Sequence, residues 1–206
     1  MKTQEAATNG DKSARTVPSH KERLLRQGMQ HFYAYGFHGT TVDAVLEASG
    51  VPKGSFYHHF GSKEAFGRAV LERYSRYQLD LLAKWAAKSE LSTADKLCGY
   101  FSAMADHFVE SGYQHACLFG KFSTEVAATS DTFREQLDTD VRAWQSHLRD
   151  AIAAGQSAGD VRSDRTADEL ADTVLALIQG AFVVALSTRD DESLRSVCRS
   201  IPSLIS

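Results

Sequence analysis

Apolar residues along the chain recur at three- and four-residue intervals, and no stretch alternates with polar residues over the length of a strand. Leu24, Gly28, Phe32 and Tyr35 share one helical face, and Val42, Val45 and Leu46 share another. Phe66, Val70, Leu71, Tyr74, Leu81 and Leu82 repeat the spacing further on. Between these faces stand residues that start or stop helices. Ser19 with Glu22 reads as a capping box, and Gly36 as a stop. Thr40 or Thr41 caps a second helix, with Asp43 in its first turn, and Gly50 closes it. Pro52 opens a short third helix, about 52–58, where a missing N–H is harmless. Ser62 caps a fourth, about 63–88. Five more follow, at about 93–111, 116–128, 131–154, 166–187 and 190–204. The pattern predicts an all-α chain of about nine helices. Three short ones come first, a connecting fourth follows, and a larger bundle completes the chain.

A chain of 206 residues, with 43% hydrophobic and 24% charged residues, can bury a sizeable core. Residues 1–18 read as a polar, disordered arm without the apolar segment of a signal peptide. No apolar run is expected to reach the roughly 20 residues of a membrane span, so a cytoplasmic protein with no membrane partner is expected. Cys98, Cys117 and Cys198 are too scattered for a disulfide framework or a zinc knuckle. Charge separates along the chain. Residues 1–76 hold 11 Lys and Arg against 7 Asp and Glu, a net +4, whereas residues 77–206 hold 12 against 19, a net −7. A basic front with an acidic rear points to an anionic partner at the front.

The stretch "SGVPKGSFYHHFGSKEAF", Ser49 to Phe66, carries the densest chemistry. Two helices joined by a tight glycine turn make a helix-turn-helix, spanning 41–60 here, with Val51 as the apolar plug. The second helix of such a motif lies in the DNA major groove. Gly54 lets that helix approach closely. Lys53 and Ser55 sit near its start, where base edges are met. The Tyr57 hydroxyl suits a phosphate, the alternative being a half-buried core tyrosine. Lys63 and the free N–H groups after Ser62 suit another phosphate. Phe56 and Phe60 belong to the core. His58 and His59 are adjacent, point about 100° apart on a helix and do not converge on a metal. No phosphate-loop motif is present, and neither a metal nor a cofactor is expected.

Phe32 to Phe66 resembles the N-terminal DNA-binding domain of the TetR family of bacterial repressors. Gly36-Phe37, Thr40-Thr41-Val42, Gly50-Val51, Gly54-x-x-Tyr57-x-His59-Phe60 and Lys63-x-x-Phe66 come in the family's order and spacing. The resemblance covers about residues 20–75. It implies DNA contacts from Thr41, Lys53, Ser55, Tyr57, His58 and Lys63. It also implies a homodimer released from a palindromic double-stranded operator by a small molecule. The expected division is a DNA-binding domain over 19–62 and a ligand-binding and dimerisation domain over 63–206.

The rear half is similar to the NemR- and AcuR-type repressors of that family, through Cys117-Leu118, Glu125 and Phe133-Arg134. Those repressors are associated with reactive electrophiles such as quinones, aldehydes or acrylate, and the resemblance implies sensing at Cys117. On the residues alone, Cys117 lies near a helix N-terminus, with His115 close by and Lys121 one turn on to steady a thiolate. The other reading is a buried, inert cysteine. Leu186 stands where some relatives have a lysine, which leaves ordinary ligand binding open. Phe108, Tyr113, Phe119, Phe122, Trp144, His147 and Phe182 are candidates to line a pocket. Leu170, Val174, Leu177, Ile178 and Ala181, with Leu194, Val197 and Ile201, form two apolar faces expected to pack as a four-helix dimer interface. A helical detoxification enzyme with Cys117 as nucleophile and His115 or His147 as base is the alternative from another class.

Overall fold

Hydroxyl caps set most of the helix starts. Ser19, Thr41, Ser62, Ser92, Ser130 and Thr166 each accept the backbone N–H three residues on, satisfying a donor the helix itself leaves free. The computed structural model describes residues 18–206. The arm expected over 1–18 therefore lies, Pro18 apart, outside the described residues. Nine helices are found among the described residues, with no strand. They are α1 His20–Gly39, α2 Val42–Ser49, α3 Lys53–Phe60, α4 Lys63–Ala86, α5 Thr93–Glu110, α6 Leu118–Val126, α7 Asp131–Ala158, α8 Ala167–Thr188 and α9 Glu192–Ile205.

Three local expectations need correction. Ser19 caps α1, but the Glu22 carboxylate accepts from Arg73 at 2.6 Å instead of returning to the backbone, because a distant guanidinium competes for it. The full capping box is made by Thr166 and Glu169 at the start of α8. Gly36 kinks α1 rather than ending it, with φ 70° and ψ −177°. Pro52 precedes α3 as its N-cap residue.

The front unit packs α1 against α2 and α3 around Val45, Val51 and Phe56. The Arg23 guanidinium of α1 holds the turn of the motif by hydrogen bonds to the Ser49 and Gly50 carbonyls. α4 runs from this unit into the rear bundle. A side chain on Gly28 would overlap the Phe66 ring, so glycine sets how closely α1 and α4 approach. In the rear, α4 packs on α5 and α7, α5 on α9, and α8 between α7 and α9. Trp144, Tyr100, Phe101 and Leu148 lie at its centre.

α8 corrects two expectations. It is long and apolar enough to cross a membrane by length and composition, because few charged residues interrupt it. Its capped start and its packing within the bundle make it a core helix here. For the same reason the expected dimer faces are largely internal. Leu170, Val174, Ile178 and Ala181 of α8, with Leu194 and Ile201 of α9, are buried in the chain's own core. Periodicity reveals an apolar face but not which neighbour covers it. Leu177 is 43% exposed and Val197 half-buried, so these two keep outward surface.

The kink at Gly36 gives a stability test. Its backbone occupies a region that is essentially glycine-only, and a Cβ there would lie 1.9 Å from the Glu125 carboxylate. Gly36→Ala is expected to cost about 2–3 kcal/mol and to lower the thermal midpoint by roughly 5–10 °C in calorimetry.

Candidate DNA interface and effector cavity

α3 presents its N-terminal half outward. Lys53, Gly54, Tyr57, His58 and His59 are exposed, and Ser55 is half-buried. Phe56 is fully buried and Phe60 packs against the core, as their spacing predicts. Tyr57 is 47% exposed, which decides against a core tyrosine. Nothing lies within 4 Å of a Cβ built on Gly54, so no protein packing demands glycine there. Lys53 pairs with Asp43 at 3.3 Å, but both side chains are well exposed, and such pairs are worth little. The lysine can therefore exchange Asp43 for a phosphate or a base edge. Thr41 is exposed, and its hydroxyl caps α2 by accepting from the Ala44 N–H.

Two features of this face depend on long-range contacts. Ser55 Oγ lies 3.0 Å from Nδ1 of His20, at the start of α1, so His20 orients a residue expected to read bases. Lys63, expected at a phosphate, contacts the end of α1 in this structure. Its amine lies 4.6 Å above the Phe37 ring and donates to the His38 carbonyl at 3.5 Å. Burial lowers its pKa, and Glu125 opposes that shift. Lys63 thus braces the junction at the end of α1.

That junction is built by α6. The Glu125 carboxylate accepts from the backbone N–H of Phe37 at 2.7 Å and of His38 at 3.3 Å. The Phe37 ring packs edge-on against Phe133 and Phe122, with centroids 4.9 and 5.8 Å away. One turn back, the Lys121 amine donates to the Tyr33 carbonyl of α1 at 2.8 Å. α6 therefore grips α1 at two points.

The other end of α6 opens into a cavity of about 510 Å³. Cys117, Phe119, Trp144 and Phe182 line it, as expected, together with Gln179, Leu175, Val141 and Leu186. The remaining four candidates lie elsewhere. Phe108 and Tyr113 pack on each other beside Phe182, outside the lining. Phe122 belongs to the Phe37 junction. His147 lines a separate cleft at the far end of the bundle, its Nδ1 2.8 Å from the Ala143 carbonyl oxygen. These residues share the periodicity of cavity residues, and their partners in space are distant in sequence.

Cys117 is the N-cap residue of α6 and is 4% exposed. Its sulfur accepts from Gln179 Nε2 at 3.1 Å and from the Tyr74 hydroxyl at 3.7 Å. Burial holds the Tyr74 pKa well above its ordinary value, so this phenol remains a neutral donor. The two helpers expected for the thiolate act elsewhere. Lys121 is committed to Tyr33, and His115 stacks on the Tyr33 ring at 4.4 Å. Among the described residues neither His115 nor His147 hydrogen-bonds the sulfur, so neither is placed to act as its base. Burial raises the other two thiols, Cys98 to about 11, and keeps both protonated at neutral pH.

A helix-turn-helix front, joined by one long helix to a helical bundle with an open cavity, defines a DNA-binding regulator whose rear half takes a small molecule. The chain belongs to the tetR family of bacterial regulatory proteins, whose model matches residues 24–70, while the tetracyclin repressor-like C-terminal domain matches residues 93–201. It is 33% identical to the HTH-type transcriptional repressor DhaR of Mycobacterium sp. (strain GP1), over 84% of this chain and 86% of that protein. It is 31% identical to the transcriptional regulator AcuR of Cereibacter sphaeroides, over 87% of this chain and 82% of that one. The crystal structure of reduced NemR from E. coli superposes with a TM-score of 0.83 at 30% identity, covering 91% of this chain and 97% of that one. These relatives are named as transcriptional regulators, and a role in transcription regulation follows for this chain.

The exposed face of α3 yields a binding test. Lys53→Ala is expected to reduce the slope of log affinity against log salt by about 1 and to alter base preference. Tyr57→Phe is expected to weaken binding about five-fold whatever the sequence, for loss of one phosphate hydrogen bond. Fluorescence anisotropy across a salt series, on specific and random duplexes, measures both.

Proposed function

We propose that this chain is a repressor that binds a palindromic operator as a homodimer and is released when a small electrophile enters the Cys117 cavity. The observation that carries this reading is the span of α6. Its N-terminus holds Cys117 in the cavity wall, and its last turn holds the end of α1 through Glu125. Anything that displaces one end of this nine-residue helix acts on the other.

The chemistry suits an α,β-unsaturated carbonyl or a quinone. The Cys117 thiolate adds to the β-carbon, and a C–S bond forms. The electrons of the C=C bond move toward the carbonyl oxygen. The proton lost from sulfur is made good from solvent at the α-carbon, or at oxygen in a quinone, so the net change is addition of S–H across the double bond. Gln179 and Tyr74 are donors to the sulfur before attack, and the apolar walls of Phe119, Trp144 and Phe182 take the hydrocarbon body. Reversible binding of an unreactive ligand is the second reading, favoured by the near-complete burial of Cys117 and by apolar Leu186 in the wall.

Methyl-p-benzoquinone separates the two. Cys117→Ser is expected to bind operator DNA normally and to be at least about ten-fold less sensitive to release by the quinone. The mass spectrum of the wild type should show one adduct, on the Cys117 peptide. Release of the Cys117→Ser variant at wild-type quinone concentrations would support the reversible reading. Glu125→Gln should take up the adduct normally while its operator affinity responds less to it.

The dimer rests on a narrower strip than the sequence suggested. Leu177 and Val184 of α8 are 43% and 50% exposed, with Gly180 between them on the same stripe, and half-buried Val197 and Leu204 lie on α9. Two such pairs about a two-fold axis would hold two α3 helices for grooves about 34–36 Å apart, or a multiple of that. Leu177→Arg is expected to shift the sedimentation coefficient toward a monomer at micromolar concentration and to weaken operator binding about a hundred-fold, without unfolding the chain.

A further inference from the structure

A second cavity, of about 650 Å³, lies between the front unit and the bundle. α1 supplies Glu22, Met29 and Tyr33 to one side of it, and α4 and α5 supply Arg76, Gln78 and Met104 to the other. The Cys117 cavity is its neighbour, and Tyr33, Ala116 and Phe182 line both. The two differ in chemistry. Cys117, Gln179 and Thr124 are set among apolar walls in the first, where Lys121 is already tied to Tyr33. The second brings nitrogen donors together.

Gln78 is the informative residue. It is 4% exposed and lines the cavity. Tyr100 donates to its amide oxygen at 2.9 Å, and its amide nitrogen has no partner among the described residues. That nitrogen keeps contact with solvent in the cavity, and a ligand oxygen can take the solvent's place. Around it stand His107 and His115, with ring centroids 5.3 Å apart, and Arg76, which makes no ion pair among the described residues. The acidic lining residues are Glu22, already paired with Arg73, and Asp80, which is exposed. Met29, Met104 and Phe182 complete the wall, and thioethers beside an aromatic ring accommodate a flat apolar body.

We infer that this cavity is a second effector site, taking an aryl carboxylate without covalent reaction. The carboxylate meets Gln78 and the imidazole pair, and the ring lies against the methionines. Because α1 forms one wall, occupancy pushes directly on the front unit and bypasses Cys117.

Isothermal titration of the dimeric protein with benzoate and 3-phenylpropionate, and with benzyl alcohol as the uncharged control, tests this in a carboxylate-free buffer. Saturable binding of a carboxylate is expected, about ten-fold or more tighter than the alcohol. Binding should persist in Cys117→Ser, weaken about five- to ten-fold in Gln78→Leu, and be lost in Met104→Trp, which fills the cavity. Operator affinity measured by anisotropy should change with benzoate in Cys117→Ser as in the wild type. Three results would each overturn the inference: no saturation at millimolar ligand, no preference over the alcohol, or binding untouched by Gln78→Leu. Loss of binding in Leu186→Trp, which blocks the first cavity, with Met104→Trp unaffected, would assign the carboxylate to the Cys117 cavity instead. The quinone response is measured separately, so either result stands without the other.

Discussion

One carboxylate decides how the two halves of this protein meet. Glu125, in the last turn of α6, accepts the backbone N–H groups of Phe37 and His38 just past the kink in α1. Those donors would otherwise lack partners in a partly buried place, where an unmade hydrogen bond is costly. The kink itself exists because residue 36 is glycine, whose backbone adopts φ 70° and leaves room for the carboxylate. Phe37 then turns into the cluster of Phe32, Phe122 and Phe133, and the Lys63 amine sits over its ring. Charge-assisted hydrogen bonds, an aromatic cluster and a cation thus converge on two residues of backbone.

The cavities follow from the same arrangement. α1 belongs to the front unit, yet Tyr33 reaches between both cavities and stacks with His115. Neither cavity belongs to the bundle alone, since Tyr33 of α1 lines both. Cys117 sits where α6 begins, and its hydrogen-bond donors come from α4 and α8. That sulfur thus touches three helices, of which α4 and α6 both pack on α1.

Local chemistry was legible in the sequence and long-range pairing was not. Ser62, Ser92, Ser130 and Thr166 fix helix starts through bonds to residues three positions away, so the element pattern can be read directly. The outward set of Lys53, Gly54, Tyr57 and His58 followed from spacing on one short helix. By contrast, Glu125 meets Phe37 across 88 residues, and Gln179 meets Cys117 across 62. Nothing in a helical period states such a partner. Lys63 shows the same limit: its neighbours in sequence suggest phosphate, and its neighbours in space also include Phe37 and His38. The dimer face failed in a related way. α8 is apolar on more than one side, and its wider apolar side is buried in its own bundle. His20 has one visible signal, its place beside the Ser19 cap, but its contact with Ser55 depends on how α1 crosses α3.

The magnitude of the junction fits the task proposed for it. Moving a two-state equilibrium from 1:99 to 99:1 takes about 5.5 kcal/mol of differential stabilisation. A hydrogen bond to a charged group is worth about 1.5–3 kcal/mol net, which applies to the part-buried Phe37 bond, while the longer, exposed His38 bond to the same oxygen adds less. Breaking them in one state and keeping them in the other supplies part of that difference. A covalent adduct at Cys117 stays in place once formed, yet it too shifts the equilibrium only by the difference in its contacts with the two states. A reversible ligand must supply it from differential contacts between the two states. By linkage, whatever the ligand takes from DNA affinity, DNA takes from the ligand. A reversible occupant of the second cavity therefore acts best by displacing α1 itself, where the distance to the switch is shortest.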